Sequence, residues 1–385
     1  MMRLLLLMTL TWSSFLWADT QWPTWLGDEL KPVSGSHWQT KSSQDSVEFL
    51  PVKSEPKILV IVSRQAKSYD IALETLLGIY SRELPLARIV VRKLPATQTG
   101  SDGQQLLLQM LKEAEGNTHL IYTVGSKATV AVRNVYKGGK VAVVSVNAKD
   151  PVLLGLIDSD QGSGDNFAFT SLNLPAEVTL VFMKRFNPSL KQIGVLYARK
   201  NKSAYTTQYL PLKKLAEKSG VKIVPIVVDE EQPLFELEVA MTKAVRTMRL
   251  TDPTLDNSLL WLTGSSSLLS RMTEINRYSG GLAVISAVPD VVKSGPDSAL
   301  MSFGVSFVNN AHQAGLYGLK ILRGEVKPGD LPVGHISPPD IAISFEQARR
   351  IEQQIPFVLM EMASDVYGMN GNVIRSKGKS MQEQQ

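Results

Sequence analysis

Residues 306–333 read Ser-Phe-Val-Asn-Asn-Ala-His-Gln-Ala-Gly-Leu-Tyr-Gly-Leu-Lys-Ile-Leu-Arg-Gly-Glu-Val-Lys-Pro-Gly-Asp-Leu-Pro-Val. Ala311, Gly315, Gly318 and Leu322 fall at helical spacing, and three of these four are small. A helix with such a face can lie close against a neighbour. Gly324 is placed to stop it. A loop and a strand at Leu331-Pro-Val333 are expected next. A closely packed helix of this kind belongs to an α/β protein.

Outward from this stretch the chain alternates. Lys57–Val62 (Lys-Ile-Leu-Val-Ile-Val) is a continuous apolar run, as expected of a strand buried on both faces. A helix at Tyr69–Tyr80 and a strand at Ala87–Val91 follow. Next come a helix at Gly103–Ala114, a strand at His119–Thr123, a helix at Ser126–Arg133 and a strand at Lys140–Val144. A second set repeats the order. Asn173 is read as the cap of a helix running to Phe186, with Pro175 in its first turn. Strands at Gln192–Tyr197, Val221–Val228, Leu259–Leu262 and Leu282–Ile285 alternate with helices at Thr206–Ser219, Pro233–Arg249 and Ser266–Tyr278. Two doubly wound α/β lobes with parallel sheets are the expected fold class.

The ends differ from this body. Arg3 precedes the apolar run Leu4–Leu10, and Leu16-Trp17-Ala18 sets a small residue before a cut. That is the plan of a secretory signal, cleaved after Ala18, and implies a periplasmic protein; the alternative reading is an uncleaved signal anchor. Asp19–Pro56 has no clear periodicity. It holds Trp22, Trp25 and Trp38, whereas the rest of the mature chain has only Trp261. It reads either as an extended arm packed on a domain surface or as a docking segment for a partner. Beyond Gly368 the chain is polar and rich in Gly, Lys and Gln, so residues 369–385 are expected to be disordered.

Composition excludes several classes. The 385 residues contain no Cys, which removes disulfide scaffolds, thiolate metal sites and thiol nucleophiles. The net charge of +5 is small and dispersed, with no basic stripe interleaved with aromatics, so nucleic acid is not an expected partner. His37, His119, His312 and His335 are not spaced as a metal pair, and no Gly-x-Ser-x-Gly elbow or phosphate loop occurs. No catalytic residue, metal or cofactor is expected.

Several segments in order resemble ABC-transporter substrate-binding proteins of the uncharacterised type related to tryptophan and tyrosine binders. They are Tyr122-Thr-Val-Gly-Ser-Lys-Ala128, Lys149-Asp-Pro-Val-Leu-Leu-Gly-Leu156, Gly164-Asp-Asn166, Asn187-Pro188, Ile193-Gly-Val-Leu-Tyr197, Val292-Lys-Ser-Gly295 and Lys320–Val333. The resemblance covers residues 57–365. It implies the type I periplasmic-binding-protein fold: two Rossmann-like lobes joined by a multi-strand hinge. The boundaries expected are 57–169 plus 288–325 for the first lobe and 170–287 plus 326–368 for the second. It also implies capture of a small solute, carboxylate-bearing and of aromatic amino-acid type, for the membrane permease of an ABC importer. The chain departs from the family at Ala168-Phe169, usually Thr-Gly, at Thr263-Gly264-Ser265, usually carrying an Asp, and at Ala287-Val288, usually more polar. Two other readings stand beside transport. One is a sensing or adaptor module that docks to a membrane receptor or kinase. The other is a degenerate scaffold without a ligand.

In open parallel sheets, ligands sit beyond the carboxyl ends of strands, at the switch point. That rule nominates five loops. Ser63, Arg64 and Gln65 follow the first strand. Gly125 and Ser126 open a helix and offer N–H groups to an anion, or form only a capped turn. Asn147 and Asp150 follow the next strand, where Asp150 offers a partner to an amine or caps the following turn. Tyr197 ends the first strand of the second lobe, and Arg199, Asn201 and Ser203 follow it. Thr263 to Ser266, with Ser265 among them, follow Trp261.

Overall fold

The computed structural model describes residues 22–33, 35–50, 56–95, 101–229 and 233–381, so the expected signal and its cleavage site lie outside the described residues. The first sheet contains β1 (Gln39–Ser43), β2 (Ser46–Leu50), β3 (Lys57–Val62), β4 (Arg88–Lys93), β5 (Leu120–Val124), β6 (Ala142–Val146) and β7 (Phe167–Ala168). Their spatial order is β1-β2-β4-β3-β5-β6-β7. From β4 to β7 all pairs are parallel. Helices α1 (Lys67–Glu83), α2 (Ser101–Ala114) and α3 (Gly125–Tyr136) make the connections.

The second sheet contains β8 (Gln192–Ala198), β9 (Lys222–Val228), β10 (Ser258–Leu262), β11 (Val284–Ser286), β12 (Met301–Gly304), β13 (Asp340–Ser344), β14 (Asp365–Tyr367), β15 (Val373–Ser376) and β16 (Lys379–Ser380). Its order is β16-β15-β14-β13-β12-β11-β10-β8-β9. Around it run α4 (Ala176–Phe186), α5 (Lys202–Ala204), α6 (Leu210–Lys218), α7 (Pro233–Arg249), α8 (Ser266–Leu269) and α9 (Met272–Tyr278). The chain continues through α10 (Phe307–Leu322), α11 (Phe345–Arg350) and α12 (Phe357–Met362).

Strand β3 shows why the first lobe forms. Ile58, Val60 and Val62 join a core with Leu73 and Leu76 of α1 and Ala311 and Ala314 of α10. Leu59 and Ile61 face the other way, onto Leu107 and Leu111 of α2 and Val132 of α3. An unbroken apolar run is what a strand with helices on both faces requires. The second lobe repeats the plan, with α4 and α6 on one face and α7 and α9 on the other.

Helix α10 returns from the second lobe to the first. Ser306 Oγ caps it by accepting from Asn309 N at 3.1 Å. Gly324, at φ +71°, ends it. Glu325 N donates to the Lys320 carbonyl and Gly324 N to the Ile321 carbonyl, which completes a Schellman turn. Leu331-Pro-Val333 is not a strand; only a single bridge, Thr170 to Gly334, forms there. Among the described residues the chain passes between lobes near 169–174, 304–306 and 334–340. Leu172, Val288, Val305 and Phe307 form a small apolar cluster at these crossings.

Several expectations need correction. The lobe exchange falls later than 288, because β12 pairs with β11 and β13 in the second sheet. Residues 328–334 lie against the first lobe, through Gly164 N to the Gly329 carbonyl and Gly334 N to the Phe169 carbonyl. The Trp-bearing segment is not an arm on the surface. Its strand β2 pairs antiparallel with β4, and Trp25 and Trp38 are 7% and 8% exposed in the first lobe's core. Trp25 Nε1 donates to the Gln44 carbonyl at 2.8 Å. Residues 369–381 are not structureless: β15 and β16 form a hairpin on the edge of the second sheet, while 382–385 lie outside the described residues. The helix expected at Ser266–Tyr278 is broken into α8 and α9. Asn173 makes no helix cap; its amide instead holds Thr207 and Asp150 N.

Candidate functional site

Each sheet has one place where consecutive connections run to opposite sides. In the first it lies between β3 and β5, in the second between β8 and β10. The loops at the carboxyl ends of these four strands face one another across a cleft, as the switch-point rule requires. The cavity between them has a volume of about 720 Å³.

The first lobe contributes a polar loop after β6. Asn147 takes a left-handed conformation, φ +50°, which is uncommon outside glycine. The turn is held in place. Asn147 N donates to Asn310 Oδ1 at 2.8 Å, and Asn147 Nδ2 donates to the Ser68 carbonyl at 2.8 Å. Thr170 Oγ1 also donates to Asn310 Oδ1, at 2.9 Å. Lys149 N donates to Ser126 Oγ at 2.9 Å. This network aims the Lys149 side chain into the cleft, where it lines the cavity.

Lys149 is 6% exposed. No hydrogen bond or ion pair to its Nζ occurs among the described residues. Burial brings its ammonium down to about 7, because charging a buried amine without a counter-ion is costly. Its Nζ reaches the opposite lobe, where a Cβ placed on Gly264 would collide with it. Gly264 N donates to Gln208 Oε1 at 2.9 Å. Gln208 stands in a single π turn, Tyr205–Tyr209, a local widening that is frequent at functional sites. A second contact crosses the cleft between Ser68 Oγ and Ser266 Oγ, 3.5 Å apart.

Of the residues nominated from sequence, Arg64, Ser126, Asn147, Asn201, Ser203, Gly264 and Ser266 line the cavity. Asn201 is tied internally: Oδ1 accepts from Ala204 N and Ser203 Oγ, and Nδ2 donates to Ser265 Oγ. The others lie off the wall. Ser63 is half-buried with an unpartnered hydroxyl. Gln65 donates to Asp70 Oδ2 at 3.0 Å. Gly125 accommodates the Tyr69 ring, at a φ of +79°. Asp150 accepts from Leu153 N at 2.8 Å, as the cap of the next turn does, and does not line the cavity. Its carboxylate comes within 4.8 Å of Asp160 and His335, on the outside of the hinge. Tyr197 is buried against Tyr209, ring centroids 4.7 Å apart. Arg199 is exposed, away from the cavity wall. Thr263 and Ser265 bond each other at 3.2 Å, leaving Gly264 and Ser266 to face the cleft. The residues missed are Lys149 and Ser68. The Lys149-Asp-Pro-Val segment was the available signal for the first.

Two doubly wound lobes enclosing a polar cleft at facing switch points define a bilobal solute-binding protein. The chain belongs to the ABC transporter substrate binding protein family, whose model matches residues 92–367. This is a non-enzymatic class, whose members bind small solutes and interact with a transporter permease, and which is typically periplasmic or extracellular. The chain is 24% identical over 235 residues to a tyrosine-binding protein of Clostridioides difficile (strain R20291). That match spans 61% of this chain and 63% of the relative. A conserved domain protein from Vibrio cholerae superposes with a TM-score of 0.60 at 19% identity, over 80% of this chain and 99% of the other. An ABC domain from Streptococcus pneumonia in complex with L-Trp superposes with a TM-score of 0.60 at 18% identity, over 81% of this chain and 100% of the other. At these identities the superpositions show the shared fold. No described helix is long and apolar enough to cross a membrane.

Proposed function

We propose that this protein captures a small carboxylate-bearing solute between its lobes and presents it to the permease of an ABC importer. It would do so in the periplasm, after cleavage following Ala18. The observation that carries the reading is Lys149, a buried, unpaired ammonium in a cleft that an anion can enter. A carboxylate there would satisfy a charge the protein leaves uncompensated. Contacts from both lobes to one solute would favour the closed form. Tyrosine and L-Trp, named for two relatives, both carry such a carboxylate.

The docking-module alternative drew on the Trp-rich segment. Its indoles Trp25 and Trp38 are spent inside the first lobe, so that feature no longer favours it.

Thermal unfolding of residues 19–385 against a panel of carboxylic acids, amino acids, nucleosides and neutral sugars tests the proposal. A solute at a hundred times its Kd adds about 2.7 kcal/mol, enough to raise Tm by several degrees. Carboxylates are expected to give the shift and neutral sugars none. A shift given by sugars alone would overturn the reading.

A further inference from the structure

We infer that the cleft selects a small organic anion that carries no ammonium group, so that a des-amino acid is preferred over the corresponding amino acid. The inference rests on the proposed capture of a carboxylate and narrows its solute class. It starts from the charges on the cavity wall. Arg64, Lys127, Lys149, Lys200 and Lys202 line it, and no Asp or Glu does among the described residues. An α-amino acid brings a cation within a few ångströms of its carboxylate. Whichever group reaches Lys149, the ammonium must then sit among cations with no carboxylate on the described wall to receive it.

Three acids close to lining residues in sequence or contact are engaged elsewhere. Asp150 caps Leu153 N. Asp70 accepts from Gly27 N and Gln65. Asp290 Oδ2 accepts from Phe307 N beneath the wall, and burial holds its carboxyl up at about 6. Opposite Lys149 Nζ stands Gly264, a position without a side chain where a carboxylate would meet the ammonium directly. Leaving that position bare keeps the lysine available to the solute. The remaining wall suits the body of an organic acid: Leu107, Val130, Leu154 and Phe307 are apolar, and Ser126 and Ser266 supply hydroxyls.

The test is calorimetric titration of residues 19–385 with matched pairs differing only in the α-ammonium. These are 3-(4-hydroxyphenyl)propanoate with L-tyrosine, 3-(indol-3-yl)propanoate with L-tryptophan, and glutarate with L-glutamate. The expected result is that at least one des-amino acid binds tenfold or more tighter than its amino acid. If no des-amino acid reaches that margin while any member of the pairs binds, this inference is overturned and carboxylate capture stands. No binding by any member overturns both. Gly264→Asp supplies a second arm, with Gly264→Asn as the uncharged control of the same size. The aspartate variant is expected to lose des-amino acid binding at least tenfold relative to the asparagine variant. Equal affinity in the two variants would show that Lys149 is not the group that meets the anion.

Discussion

Lys149→Met is expected to weaken solute binding by about 30-fold or more. The methionine keeps the length and apolar stem of the lysine, so the loss reports the charge. Removing one member of a desolvated charge pair costs roughly 2–5 kcal/mol, which at 1.4 kcal/mol per decade is about 30-fold to several-thousand-fold. The same substitution should stabilise the ligand-free protein. Burial lowers the Lys149 ammonium to about 7 in the fold, whereas an unfolded lysine titrates near 10.4. The unfolded chain therefore holds more protons between those two values, and stability rises with pH across that window. Below pH 7 the full cost of the buried charge remains. Lys149→Met removes it, and a gain of about 1–3 kcal/mol below pH 7, fading toward pH 10, is expected in urea unfolding.

Binding should carry the same signature. A carboxylate beside Nζ holds the lysine charged, so above pH 7 the complex takes up a proton on forming. Affinity is then expected to fall about tenfold per pH unit above 7. Titration at pH 8 in buffers of different ionisation enthalpy should show uptake of close to one proton. Affinity that stays flat to pH 9 would mean that the anion does not depend on Lys149. The four other cations on the wall, Arg64, Lys127, Lys200 and Lys202, are exposed, whereas Lys149 is buried.

The frame of this site was readable from the sequence because strands buried on both faces leave long apolar runs. Lys57–Val62 was read to the residue, and its neighbours followed from the alternation. Once the strands were placed, the switch-point rule named the loops. What it did not name was which side chain in each loop turns inward. The left-handed Asn147 rotates the chain so that Lys149 points into the cleft and Asp150 out of it. Local pairing of Thr263 with Ser265 hands the wall to Gly264 and Ser266. A lysine also reads as a solvated charge in any sequence; only its three-dimensional surroundings reveal it as buried. The edges were illegible for another reason. Strand β1 and the β15–β16 hairpin are half-exposed or exposed along their lengths, so neither carries an apolar rhythm. Their pairing is set by neighbours, which no local window contains.

Gly318→Ala is expected to destabilise the protein by about 3–5 kcal/mol, against the usual sense of such a change. In a helix interior alanine is favoured over glycine by up to about 1 kcal/mol. Here the glycine lies where α10 presses on the floor of the first lobe. Tyr80 and Tyr122 are fully buried beneath it, with their hydroxyl oxygens 2.8 Å apart. Tyr122 Oη also donates to the Ala314 carbonyl at 3.2 Å. A Cβ on Gly318 would overlap Tyr122 Oη and come within 2.6 Å of Tyr80 Oη and 2.8 Å of Leu120 Cδ2. Either the tyrosines move and their bonds open, at about 1–3 kcal/mol for each group left unpaired, or the helix lifts. Lifting would also pull Asn310 from Asn147 N, loosening the loop that aims Lys149. Urea unfolding of Gly318→Ala, Tyr122→Phe and the double variant separates these outcomes. Tyr122→Phe removes the overlapping oxygen, so the double variant should be more stable than the sum of the single losses by at least about 1 kcal/mol. Strict additivity would show that the strain lies elsewhere along α10. Solute affinity of Gly318→Ala then tells which element yielded: unchanged binding means the tyrosines moved, and weakened binding means that the helix lifted and took the Asn147 turn with it.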